Sequence, residues 1–227
     1  MTLTQILHRI LIQGGSYWTI LKGLMATVNI SLFSLLAGTL LGAVVCALRM
    51  SRFKLLRFLA GGYIIILRGS PVLMLLMLMY YGVFARSSLE AQTIAVITFS
   101  LNVAAHVAEL LRASISATDH GQVEAARTLG FSAWQAFRLV TLPQAVRIAK
   151  PVYQSAVINL IQWTSVVGYV SITDLTRVIN NIASRTMQPM ITIIIGMVIY
   201  LALAYIVNGI FALSDMLQRR KYREASA

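Results

Sequence analysis

The feature that most constrains this chain is a series of long apolar runs separated by short clusters of basic residues. A helix needs roughly 20 apolar residues to cross a hydrocarbon core of about 30 Å. The apolar runs predict spans at about 19–48, 58–84, 91–111, 151–170 and 190–213. The second run is interrupted by the polar sequence Arg68-Gly69-Ser70-Pro71, which predicts a broken helix. We therefore expect an all-α membrane protein with about five transmembrane helices.

Composition and charge support a membrane protein and exclude other classes. Charged residues make up 11% of the chain, whereas a soluble domain carries roughly 25%. The net charge of +12 does not indicate nucleic-acid binding, because Lys and Arg lie in clusters between apolar runs. The main basic clusters, at 49–57, within 112–150 and at 219–223, all fall on one side of a five-span chain. Basic loops stay in the cytoplasm, which predicts an outside amino terminus and a cytoplasmic carboxyl terminus.

The chain reads as one membrane domain, predicted at 16–218, with short flanking segments. Residues 1–15 are predicted to form an interfacial amphipathic helix, and residues 219–227 a basic cytoplasmic tail. A second apolar stripe at helical spacing, between Ile172 and Ile182, is also predicted to lie at the membrane surface. Gly38 and Gly42 predict close packing of the first span against another helix.

The segment 113–150, which we call the central loop, carries the most specific pattern in the sequence. Asp119 followed by Gln122 has the form of a helix cap with the Gln122 side chain returning to the backbone. Gly130 suits the left-handed residue that closes such a helix. Ser132 with Gln135 repeats the capping pattern, and Pro143 is predicted to end the second helix. Two short helices presented to the cytoplasm predict docking of a soluble partner.

The central loop resembles the EAA motif of the permeases of binding-protein-dependent ABC importers. The resemblance is carried by Glu124-Ala125-Ala126, by Gly130 and by Val140-x-Leu142-Pro143. Further sequences are similar to the polar amino-acid branch of that family: Arg68-Gly69-Ser70-Pro71, Tyr80-Tyr81-Gly82, Ala108-Glu109 with Arg112, Gly121-Gln122 and Pro143-Gln144-Ala145. The resemblance extends over about residues 17–220.

The resemblance implies a type I ABC importer (MetI-like) permease fold in the bacterial inner membrane. It implies a transport subunit that imports amino acids, with an opine-like compound as an alternative substrate. The implied partners are two copies of an ATP-binding cassette subunit, a second permease that is identical or paralogous, and an extracytoplasmic substrate-binding protein. ATP and Mg would bind the ATPase, and no cofactor would bind this chain. The residues implied to couple to the ATPase are Gly121, Glu124, Ala125, Ala126, Leu129, Gly130, Leu142 and Pro143.

Polar residues inside the spans are candidates for the substrate path. Arg68 lies in an apolar stretch, and either transport or contact with lipid headgroups accounts for it. The other candidates are Asn102, His106, Asn159, Gln162, Thr164 and Ser165. Asn102 and His106 fit hydrogen bonding between helices better than a substrate path, whereas the fourth-span residues are expected to face the bundle interior.

The fourth span departs from the pattern of the branch that the chain resembles. The branch usually shows Lys-Asp-Thr-Ser where this chain has Gln162-Trp163-Thr164-Ser165. The change removes a carboxylate suited to a substrate ammonium group. A non-identical second permease or an unusual substrate would account for it.

Catalysis and metal binding are not predicted. The three histidines, His8, His106 and His120, have no metal-ligand spacing, and the seven carboxylates are scattered. Glu109 is expected to pair with Arg112 one helical turn away. A channel or a purely structural membrane subunit remains an alternative, which the two-helix loop argues against.

Overall fold

The computed structural model describes residues 8–13 and 15–225, with the side chains of residues 9, 13 and 218–225 excepted. Within those residues every regular element is helical, which confirms the all-α prediction. After a π-helical turn at Arg9–Gln13, the helices are α1 (Ser16–Arg49), α2 (Lys54–Gly69), α3 (Val72–Leu78), α4 (Ala91–Ser116), α5 (His120–Thr128), α6 (Ala133–Ala136), α7 (Leu142–Trp163), α8 (Leu175–Thr186) and α9 (Pro189–Ala225). π-Helical turns follow α3 at Met79–Val83 and α6 at Phe137–Thr141, and a 3-10 helix follows α7 at Thr164–Val170.

The helices supply three to five membrane spans. Among the described residues, α1, α4 and the Pro189–Leu217 part of α9 are individually long and apolar enough to cross a membrane. Two bent pairs raise the number to five if each counts as one span. The first joins α2 to Val72–Val83 with a bend of 108°, and the second joins Ala133–Val170 to α8 with a bend of 58°. These elements agree with the predicted spans.

The predicted break in the second span is present between α2 and α3. The Ser70 backbone is extended, with ψ 137°. A proline disfavours helical backbone at the residue before it, so Pro71 keeps Ser70 out of the helix. The chain becomes helical again when the Leu75 N–H donates to the Pro71 carbonyl at 3.0 Å. The polar run at 68–71 therefore marks a sharp corner rather than a continuous span.

By contact clustering the chain divides into two compact units. The first comprises the described parts of 1–33, 76–96 and 157–227, and the second comprises 34–75 and 97–156. The helices α1, α3, α4 and α7 each contribute residues to both units.

In the second unit, glycines allow α1 to approach α4 closely. A Cβ added at Gly38 would lie 2.7 Å from the Val103 Cβ and 2.9 Å from the Ser100 carbonyl oxygen. A Cβ added at Gly42 would lie 2.7 Å from the Val107 Cβ. Only a residue without a side chain fits at these distances. The close packing expected from the small-residue motif is present.

In the first unit, α8 is packed inside the protein, and the prediction that its stripe lies at the membrane surface is wrong. The apolar side chains of Leu175, Val178, Ile179 and Ile182 are buried in a cluster with residues of α1 and α9. A helical period of apolar residues shows that one face is covered, but not whether lipid or protein covers it.

Side-chain hydrogen bonds fix the amino end of α8. Both carboxylate oxygens of the buried Asp174 accept hydrogen bonds, from the N–H groups of Thr176 and Arg177, each at 3.0 Å. The Leu175 N–H donates to Oγ1 of Thr27 on α1 at 3.3 Å. These bonds satisfy free N–H groups of the first turn and attach α8 to α1.

One other boundary differs from the sequence prediction. The helix of the fourth span begins at Leu142 instead of about 151, and Pro151 lies within it. The interfacial helix predicted at 1–15 falls mainly outside the described residues.

Candidate functional site

The first short helix of the central loop is α5, and its amino end is capped by Asp119. The Asp119 Oδ1 accepts a hydrogen bond from the Gly121 N–H at 2.9 Å, which satisfies one of the free donors of the first turn. The predicted return of the Gln122 side chain to the Asp119 backbone is not present. Oε1 of Gln122 instead accepts a hydrogen bond from Nε2 of Gln144 at 2.8 Å. The first turn of α5 is thereby joined to α7.

The carboxyl end of α5 is closed by Gly130, as predicted. Gly130 has φ +90°, and its N–H donates to the Arg127 carbonyl at 3.1 Å. The Phe131 N–H donates to the Ala126 carbonyl, also at 3.1 Å. This pair of bonds is the Schellman closure of a helix, which requires a left-handed residue between helix and loop. The Arg127 guanidinium then donates to the Phe131 carbonyl at 2.8 Å, which fastens the turn further.

The second helix of the loop starts with the predicted capping box. The Gln135 N–H donates to Oγ of Ser132 at 3.2 Å, and the Ser132 N–H donates to Oε1 of Gln135 at 2.8 Å. Two free donors are thus satisfied reciprocally at the start of α6. The Trp134 and Phe137 rings stack one turn later, with centroids 5.7 Å apart.

The prediction that Pro143 ends the second helix is wrong. The helix continues from α6 through the π-helical turn Phe137–Thr141 into α7, and the Leu142 N–H donates to the Phe137 carbonyl five residues earlier. In a regular α-helix a proline lacks one hydrogen bond and its ring crowds the carbonyl four residues before it. A π-helical turn widens the helix at that point. The helix therefore passes Pro143 without ending.

The loop presents both charged and apolar residues to the solvent. Gly121, Glu124, Ala125, Gly130, Leu142 and Pro143 are exposed. Leu129 is 79% exposed and Trp134 is 66% exposed. Ala126 differs from its neighbours because it is buried. α5 contacts α6 and the π-helical turn after it, so the small side chain at 126 belongs to the inner side of the loop. Of the eight residues predicted to couple, Ala126 thus shapes the loop and the others lie on its surface.

In the second unit, Asn102 is attached to the break between α2 and α3. The buried Asn102 side chain donates through Nδ2 to the Leu67 carbonyl at 2.8 Å. Arg68 beside it is exposed, and His106, one turn further along α4, is partly buried. Asn102 thus forms a hydrogen bond between α4 and α2, which is the kind of contact that the sequence favoured for it.

The pair expected on α4 is also present. Arg112 holds the Glu109 carboxylate by two hydrogen bonds, at 2.6 and 3.0 Å. A bidentate pair of this kind fixes both side chains in one geometry.

In the first unit, the polar residues at the end of the fourth span do not share one environment. Thr164 is fully buried, and its hydroxyl donates to the Ile161 carbonyl at 2.7 Å. Ser165 is partly buried. Asn159 and Gln162, which were expected to face the interior, are exposed within this chain. They lie three residues apart on α7, so they share a helix face.

Gln162 lines a groove of about 610 Å³ beside α8 and α9. Most of the lining is apolar, and the polar groups come from Gln162, Thr176, Asn180 and Tyr200. Thr176 and Tyr200 are hydrogen-bonded through their hydroxyls at 2.9 Å. The α8 and α9 residues of this groove were not predicted from the sequence. The sequence feature that could have indicated them is the spacing of Thr176 and Asn180. These two polar residues are four apart on α8, so they lie on the same helix face.

Metal ligands do not cluster in the described part of the chain. Over residues 8–13 and 15–225, no group of three or more His, Cys, Asp and Glu side chains is placed to hold a metal ion.

Comparison with known proteins identifies the family. Residues 18–220 match the model of the binding-protein-dependent transport system inner membrane component. The chain belongs to this family. It is therefore a multi-pass inner-membrane permease subunit of a transport system, as the central loop predicted.

Curated relatives match the permease over most of their length. A probable amino-acid ABC transporter permease of Bacillus subtilis, YckA, is 38% identical over 84% of this chain and 85% of its own. The histidine/lysine/arginine/ornithine permease HisM of Salmonella typhimurium is 30% identical, with coverages of 83% and 85%.

Solved structures confirm the fold. A chain of an amino acid ABC transporter crystallised with histidines superposes with a TM-score of 0.83 at 31% identity, covering 93% of this permease and 98% of that chain. The MetNI methionine transporter in an inward-facing conformation has a TM-score of 0.68 at 20% identity, covering 90% and 96%. The permease thus has the MetI-like type I importer fold.

Proposed function

We propose that this permease imports polar amino acids across the bacterial inner membrane by alternating access, driven by a separate ATPase. It works beside a second permease subunit, identical or paralogous, with two ATP-binding cassette subunits and an extracytoplasmic substrate-binding protein. ATP and Mg²⁺ bind the ATPase subunits rather than this chain. The conclusion rests above all on the central loop, whose exposed apolar residues need a partner.

The exposed surface of the central loop supports docking of the ATPase. We place the loop in the cytoplasm, where water surrounds it. Leu129 and Trp134 expose more than half of their surfaces there, and apolar residues grouped in a short loop mark a contact site for another protein. Glu124, which is exposed on α5, adds a negative charge to this surface. We therefore assign the ATPase contact to α5 and the start of α6.

The exposed amides of the fourth span support a shared transport path. In lipid, each unsatisfied amide costs several kcal/mol, about 2–7 by transfer measurements. Asn159 and Gln162 are exposed on α7, so in the assembly a second permease or a water-filled path covers them. The amide at Gln162 is neutral and can hydrogen-bond either end of an amino-acid zwitterion. A paralogous second permease would supply the carboxylate that is missing at 162–163, whereas an identical one would lack it too.

The relatives support amino acids as the substrate class. Their names specify histidine, lysine, arginine and ornithine for HisM and cystine for TcyB of Bacillus subtilis, which is 34% identical. A specific observation also favours opines as a second candidate. The nopaline permease NocM of Agrobacterium fabrum and the octopine permease OccM of Rhizobium meliloti are each 31% identical to this chain.

The proposal is tested by uptake into proteoliposomes that contain the permease with its ATPase, second permease and binding protein. Labelled histidine, arginine, cystine, nopaline and octopine are each supplied outside with MgATP inside. The variant Glu124→Lys is compared with Glu90→Lys, which makes the same charge reversal at an exposed residue outside the central loop.

We expect uptake of at least one of the amino acids by the wild-type complex and by Glu90→Lys. Glu124→Lys should insert normally into the membrane but lose both uptake and co-purification of the ATPase. Normal uptake by Glu124→Lys contradicts the docking assignment. Uptake of nopaline or octopine alone assigns the chain to opines instead.

A further inference from the structure

The amide side chain of Gln144 joins α7 to the start of α5 within the central loop. Gln144 lies in the first turn of α7, and its Nε2 donates to Oε1 of Gln122 in the first turn of α5, at 2.8 Å. Its Oε1 faces the Asp119 N–H at 3.5 Å, a long hydrogen bond. A backbone N–H can only donate, so this contact fixes which end of the amide faces Gln122. Both polar ends of one side chain thus hold the start of α5, 22 and 25 residues away.

The two ends of α5 are held in different ways. Its carboxyl end is closed by Gly130 and Phe131, which lead directly into α6. Its amino end is attached through Gln144 to α7. α7 is the helix that continues to Trp163, next to the polar residues of the fourth span. The Gln144 amide therefore forms a direct hydrogen bond from the first turn of α5 to the first turn of α7.

We infer that Gln144 is a positioning residue that transmits movement of α5 to α7 when the ATPase closes. The inference rests on the function proposed above and names the link through which docking becomes transport. The covalent path from α5 to α7 runs through two turns and α6, whereas the amide joins their first turns directly.

Gln144 is not needed to build the loop. The Asp119 cap, the Gly130 closure and the Ser132–Gln135 capping box each form without it. Loss of a hydrogen bond between partly exposed amides has a small net effect on stability. Variants at this position should therefore fold and still bind the ATPase, and the defect should appear in the coupling of ATP hydrolysis to transport.

The test uses the complete transporter in proteoliposomes and measures amino acid taken up per ATP hydrolysed. The probe is whichever of labelled histidine, arginine or cystine the wild-type complex transports. Gln144→Leu removes the donor of this hydrogen bond, and Gln122→Leu removes its acceptor. Each single change therefore breaks the link, while the double variant Q122K/Q144E faces an ammonium with a carboxylate and supplies a new one.

We expect uptake per ATP to fall about fivefold in each single variant, the size of a net loss of one hydrogen bond. The double variant should recover to at least half of the wild-type value, and the ATPase should co-purify with all three. A role in folding alone would lower the yield without changing the ratio. Wild-type coupling in Gln144→Leu, or no recovery in the double variant, overturns the inference.

Failure of the Gln144 link and failure of ATPase docking give different results in these assays. If Glu124→Lys releases the ATPase while Gln144→Leu couples normally, docking stands and the Gln144 link is wrong. If Glu124→Lys leaves the ATPase bound and uptake normal, the docking assignment itself is wrong, and with it the inference.

Discussion

Substitution of Gly130 should weaken the proposed ATPase contact through the backbone alone, because the role of this residue depends on its conformation and not on side-chain contacts. It has φ +90°, a region that L residues rarely adopt, and a Cβ added there meets nothing within 4 Å. The cost of Gly130→Ala is therefore conformational rather than steric. An L residue in left-handed backbone costs about 1–2 kcal/mol. A β-branched residue costs more, and Asn costs less because its short polar side chain tolerates this region.

That cost predicts a graded effect on ATPase binding. If the closure of α5 must form for docking, 1–2 kcal/mol lowers the affinity roughly 5–30-fold. Affinity should then fall in the order Gly, Asn, Ala and Val at position 130, and Gly130→Val should abolish transport. The assay is the dissociation constant of the purified ATPase for the permease in nanodiscs.

The matched control is Gly62→Ala, which makes the same change in ordinary helical backbone with open space around it. It should bind the ATPase as the wild type does. Equal affinities for Gly130→Val and the wild type would refute the argument, and so would an Asn variant as weak as the Val variant. Membrane insertion and yield, measured for every variant, separate misfolding from loss of docking.

Two further predictions concern the membrane domain. Gly42→Val should destabilise the packing of α1 on α4 by about 1–3 kcal/mol, because its Cβ would lie 2.7 Å from Val107 Cβ and 2.9 Å from the Ala104 carbonyl oxygen. Thermal unfolding in detergent checks it, and a midpoint equal to that of Gly209→Ala, where nothing lies within 4 Å, contradicts it. Gln162→Leu and Asn159→Leu should change uptake kinetics while the ATPase stays bound, because both amides are exposed on α7. Unchanged kinetics in both remove them from the substrate path.

The sequence predicted the features that depend on local backbone chemistry. Pro71 and Gly130 act on the conformation of their own or the adjacent residue, so their positions alone indicated a break in the second span and a left-handed closure of α5. The Ser132–Gln135 box also involves residues only three apart. The glycine pair at 38 and 42 indicated close packing, although it could not name Val103 and Val107 as the residues in contact.

What the sequence could not supply depends on contacts between distant residues. Pro143 was expected to end a helix because nothing in the sequence reveals the π-helical turn that accommodates it. Gln122 was paired with its near neighbour Asp119, whereas its partner is Gln144, 22 residues away.

The sequence also could not predict whether lipid, protein or water surrounds a given side chain. The stripe on α8 could not distinguish a lipid surface from a protein core. The amides at 159 and 162 were expected in the interior because lipid excludes such groups, but both are exposed within this chain.

Site-specific photo-crosslinking can show whether α5 of the central loop contacts the ATPase. A photoreactive residue replaces Leu129, which is 79% exposed, or Met187, which is 80% exposed and lies between α8 and α9. The two sites are equally accessible, so exposure alone cannot separate them. We predict that position 129 crosslinks to the ATPase subunit in the assembled transporter and that position 187 does not. Crosslinking of the ATPase at 187, or its absence at 129, would contradict the account.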